Sequence, residues 1–129
     1  MSAFFGIDAQ SSKNFFPQGV VCLDENKESG SLAAFRTVRS DDVIFIKSFF
    51  PQTGICVKAI GIVLPGNFRE SGREICMPVD WCWKGDAIIE INDETYNHCG
   101  DQLYEEHNIW IQKQLNDMLP AKYQLPAEW

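Results

Sequence analysis

The chain has 129 residues, 45% of them hydrophobic and 22% charged, enough for one buried core and too few for two. That balance excludes a disordered chain, and no apolar stretch approaches the ~20 residues of a membrane span. Eighteen acidic against 11 basic side chains give a net charge of −7. With no basic run, the phosphate footprint of a duplex-binding protein is disfavoured.

In chain order, the first strand is predicted at Ala3–Ile7 and the second at Gly19–Leu23, each short and followed by polar residues. Val43–Lys47 is a third, entered through the turn-forming Ser40-Asp41-Asp42. Phe49 and Phe50 are then expected on a loop running to Gly54. Ile55–Val63 is apolar on both faces apart from Lys58, the pattern of a central strand. Gly61 inside it predicts a bulge or bend. Arg69–Arg73 reads as a polar hairpin loop and Ile75–Trp83 as a strand. Lys84-Gly85-Asp86 reads as a turn into a further strand, Ala87–Ile91. Ile111, Leu115, Met118 and Leu119 fall at helical spacing, with Gln112, Lys113, Asn116 and Asp117 on the outer side. Asn108 is the expected N-cap and Pro120 the stop.

The fold class that follows is α+β. Residues 1–129 form a single domain, a small, curled, mostly antiparallel barrel-like sheet with a C-terminal helix.

The chemistry of the chain points to binding rather than catalysis. Only His98 and His107 are available as imidazole bases, and no nucleophile elbow occurs. The cysteines lack zinc-ligand spacing, no glycine loop cradles a phosphate, and no cofactor is implied. Five cysteines, an odd number, and no secretory segment after Met1 predict a cytoplasmic protein. Cys56, Cys76 and Cys82, in apolar runs, are then expected as reduced core thiols. Asp80 and Glu90 are the carboxylates that a metal-dependent hydrolase would use, with Lys58 assisting; the plainer reading is a solvated face. Trp81 and Trp83, flanking Cys82, are expected on one strand face, where rings either fill a core or stack on a base.

Asp42-Val43-Ile44-Phe45-Ile46-Lys47-Ser48-Phe49, Val57-Lys58-Ala59-Ile60-Gly61-Ile62-Val63 and Pro78-Val79-Asp80-Trp81 together resemble the EVE and related PUA-like domains. These include the recognition modules of modification-dependent restriction systems. The likeness spans residues ~40 to 119, the size of one small domain, and takes in Gly100-Asp101-Gln102-Leu103-Tyr104-Glu105 before the last helix. Asp41 stands where the family pattern has glycine.

The resemblance implies an aromatic pocket for a modified nucleobase, a nucleotide or a short single strand, in a defence or counter-defence setting. It would draw on Phe5, Asp8, Ser48, Phe49, Trp81, Gln102 and Tyr104. A second reading, from the acidic charge and the Phe-Phe-Pro segments, is an interaction protein that covers a partner's basic surface. Neither reading involves a membrane.

Overall fold

The structure is a computed structural model that describes residues 3–9, 19–24, 35–50, 54–65, 69–71, 74–90 and 103–124. Seven strands and one helix lie among them: β1 (Phe4–Asp8), β2 (Val20–Asp24), β3 (Val43–Phe50), β4 (Gly54–Val63), β5 (Arg69–Ser71), β6 (Glu74–Glu90), β7 (Leu103–Glu105) and α1 (Ile109–Met118). A 3-10 turn, Ala121–Tyr123, follows α1. The strands form one curled half-barrel sheet in the order β2-β6-β4-β3-β1-β7, with β5 on β6.

Among the described residues, every strand pairing is antiparallel except β1 with β3. A parallel neighbour cannot be reached by a hairpin. The chain therefore leaves β1, forms β2 at the far side of the sheet, and returns to lay β3 beside β1. Asp42 anchors that return: its buried carboxylate accepts from the backbone N–H groups of Ala3, at 3.0 Å, and Arg39, at 2.8 Å.

Both faces of the sheet are packed. One carries Phe5, Ile7, Ile44, Ile46, Ala59, Val63, Val79 and Leu103, with Phe35 and Val38 from the segment before β3. The other carries Phe4, Val43, Phe45, Ile55, Val57, Ile60, Ile62, Ile89 and Tyr104 and is covered by Ile111, Leu115 and Leu119. Alternate residues of β1, β3 and β7 thus feed opposite clusters, and β4, between β3 and β6, is buried on both sides as its composition predicts. Burial of Ile111 and Leu115 contributes roughly 1.5–3 kcal/mol each and fixes α1 to the sheet. The Asn108 side chain accepts from the N–H of Ile111 at 3.2 Å, so it caps the helix as expected. Asn116, expected on the outer side, is buried instead, and its carbonyl accepts from the Leu119 N–H that ends the helix.

Four local expectations are corrected. Phe49 and Phe50 belong to β3, not to a loop, because their backbone pairs with Ile55 and Gly54. Arg69–Ser71 is a short strand on β6. Lys84-Gly85-Asp86 does not turn the chain; β6 runs through it for 17 residues. The register steps from Ala59↔Lys84 to Val57↔Ala87, so the extra residues are absorbed as a bulge against β4. Cys76 is not a free thiol: it is disulfide-bonded to its cross-strand neighbour Cys22. Cys56 and Cys82 are free. Among the described residues, no helix is long and apolar enough to cross a membrane.

Candidate functional site

Side chains directly opposite each other in neighbouring strands share a face, which sorts the expected pocket residues into two groups. Phe5 is in the core of the first face. Trp81 packs against that same cluster, and Ser48 lies opposite Cys56 on that side of the register. Tyr104 belongs to the second face, where Asp8 lies opposite Lys47. The backbone of Phe49 pairs with Ile55. Gln102 lies outside the described residues. By register, Phe5, Ser48 and Trp81 take the first face and Asp8 and Tyr104 the second, so these five do not converge on one pocket.

The second-face group contains a residue that the sequence reading passed over as strand-terminal. Lys47 is only 1% exposed, a rare state for an ammonium. Its Nζ lies 5.2 Å from the centroid of the Tyr104 ring, within the range where a π-face stabilises a cation. Phe45 meets the same ring edge-on, with centroids 6.3 Å apart. Gly6 makes room for it, since a Cβ there would lie 2.5 Å from Tyr104 Cζ. The signal in the sequence was a lysine inside an otherwise apolar run, Val43–Phe50.

The accessible residues of the first-face group lie beyond the end of its core. Trp81 is half-buried and its ring lies against Gly61, where a Cβ would come within 2.8 Å of Cε3. Three residues on, Lys84 is exposed opposite Ala59, a residue of the same face. The bulge then presents Asp86, whose carboxylate accepts hydrogen bonds from the Lys58 ammonium and, at 3.8 Å, from the Cys56 thiol. Ser48, half-buried, lies across from Cys56. The Lys58 bond holds the Asp86 carboxyl below its usual range, and the same bond raises Lys58. Across the register slip, Trp81 and Lys84 lie opposite Gly61 and Ala59, two residues and about 7 Å apart along the partner strand.

A bulge also separates the two tryptophans. The register slips between Ile60↔Trp83 and Gly61↔Trp81, so Trp81 joins the first cluster and Trp83 the second, against the expectation that they share a face. Asp80 and Glu90 stand at positions ten residues apart on β6, about 30 Å along an extended strand. They do not assemble around one cation. Asp80 is instead engaged by the Tyr123 hydroxyl, which donates to it at 2.7 Å. That bond is the main reason the phenol titrates above its ordinary value.

Neither a protein-family model, nor a curated protein, nor a solved structure matches the chain.

Proposed function

We propose that this protein is a non-catalytic, cytoplasmic binding module of the PUA-like kind, and that it holds a nucleotide or a modified nucleobase on the first face. The observation that carries the reading is the row from Trp81 through Lys84 to Lys58 and Ser48. A half-buried indole offers a stacking surface worth ~1–3 kcal/mol per base. Lys84 offers a cation, and the Ser48 hydroxyl both donates and accepts. This is a smaller pocket set than the resemblance implies, because Asp8 and Tyr104 belong to the other face.

Asp41 supports the family likeness. It has φ +73°, a left-handed conformation that glycine adopts without penalty, and glycine is what the family pattern has there.

Lys84→Glu tests the site without touching the core, since Lys84 is exposed. It should weaken binding of a nucleoside monophosphate about tenfold, ~1.4 kcal/mol, and leave that of the bare nucleoside unchanged. Equal affinity of both proteins for the monophosphate would remove the site.

A second reading has its own observation. Ile88, Ile109 and Trp110 are exposed at 62%, 60% and 56%, and the Trp110 indole N–H donates to the Glu90 carbonyl at 3.1 Å. The bond brings the start of α1 beside the end of β6. Apolar anchors of this type on an acidic body suit docking to a basic protein surface. Trp110→Ala should then weaken a partner complex while nucleotide binding is unchanged.

A further inference from the structure

We infer that the Cys22–Cys76 disulfide is a reversible redox clasp that fastens β2 to the sheet, opened by a dithiol reductant and closed by a disulfide oxidant. The inference stands on topology and does not depend on the proposed ligand.

Cys22 and Cys76 face each other directly across the antiparallel β2–β6 pair. Among the described residues, β6 is the one strand that β2 pairs with. The bond therefore lies along the single seam by which β2 joins the fold. That seam covers core: Val21 and its opposite residue Met77 are both buried in the first-face cluster. Of the β6 residues concerned, Glu74, Ile75 and Cys76 are also paired on their other edge by β5, so this part keeps a partner strand when β2 departs.

The two cysteines differ in exposure. Cys22 is buried, whereas Cys76 is half-buried, and the exchange is assigned to attack at Cys76, the more exposed residue. Attack there forms a mixed disulfide and expels Cys22 as a thiolate, which takes up a proton. The second thiol of the reductant then displaces Cys76. Two electrons pass from the dithiol, which leaves as a disulfide, to the protein, which ends with two thiols. Cys82, six residues along β6 from Cys76, packs against the second face and so stands apart from the exchange. In a reducing compartment a bond of this kind is more often transient than structural.

The full-length protein tests this without denaturant, by thiol alkylation with mass detection and by amide exchange, before and after millimolar dithiothreitol. The clasp predicts that Cys22 and Cys76 resist alkylation until reduced. Reduction should then make amides 20–24 exchange roughly tenfold faster or more while β3 and β4 keep their protection. Oxidised glutathione should restore the slow exchange. The double variant Cys22→Ser, Cys76→Ser should show fast β2 exchange with or without reductant. The inference is overturned if both cysteines alkylate before reduction, or if they stay bonded in dithiothreitol. It is equally overturned if β2 exchange is unchanged by reduction, or if the whole sheet loses protection at once.

Discussion

Asp42 holds two backbone donors that no neighbouring strand reaches, the N–H groups of Ala3 and Arg39. Removing its carboxylate leaves both in a partly buried site, and charge-assisted bonds of this kind are worth about 1.5–3 kcal/mol. Asp42→Ala should lower the urea-unfolding free energy by about 3 kcal/mol, and Asp42→Asn by less, since one acceptor oxygen is kept. Asp41, next to it, sits at φ +73°. Asp41→Gly should raise stability by up to about 1 kcal/mol, less whatever glycine adds to the freedom of the unfolded chain. A drop would mean that the Asp41 side chain contributes more than its backbone costs. At this scale the sequence was informative about turn residues and caps. Ser40-Asp41-Asp42 reads as a turn and Asn108 as a cap because their side chains act on adjacent backbone. Lys47 was not legible in the same way: its place over Tyr104 requires two strands far apart in the chain to be neighbours.

The strands β3 and β4 were legible as elements because their apolar content is dense and continuous. β6 was not. Lys84-Gly85-Asp86 has the composition of a turn, and what keeps it extended is the partner strand, with Lys58 as the unpaired residue opposite. The same slippage explains why Trp81 and Trp83 part company, since period-two reasoning fails across a bulge. The Lys58–Asp86 pair belongs to this irregular stretch. Asp86 titrates low because Lys58 bonds it. Its contribution is therefore present above the ordinary carboxylate pKa and lost as pH falls through the lowered one. In Lys58→Met, a carboxyl-detected NMR titration should find Asp86 moved upward toward the ordinary value. An unmoved titration would show that the ion pair is not formed in solution.

Over the whole molecule, the succession of short apolar runs and the helical spacing of Ile111, Leu115, Met118 and Leu119 carries the class: an α+β sheet of mostly antiparallel strands with a C-terminal helix. The one parallel pair, β1 with β3, and the disulfide lay beyond it. Both depend on where the chain returns in space, and the pairing of cysteines does not follow from their spacing. The proposed site depends on the same long-range pairing. Trp81 and Ser48 could be named singly, but which faces they share is decided by register, and register divides the expected pocket in two. The net charge of −7 bears on the ligand as well. An acidic body repels long phosphate backbones, so a mononucleotide or a single flipped base suits the short Trp81–Lys84 row better than a duplex does.

Whether this row takes a base with its phosphate is tested most directly by thermal unfolding of the full chain against nucleotides, modified nucleosides and short single strands. A ligand at about 100 times its dissociation constant adds roughly 2.7 kcal/mol, a rise of several degrees for a domain of this size. Such a rise is expected for a subset of base-bearing ligands, cut to about half for the phosphorylated ones by Lys84→Glu, because a tenfold loss of affinity leaves roughly 1.4 kcal/mol of it. A flat panel, or a rise that survives Lys84→Glu undiminished for every ligand, contradicts the proposed site.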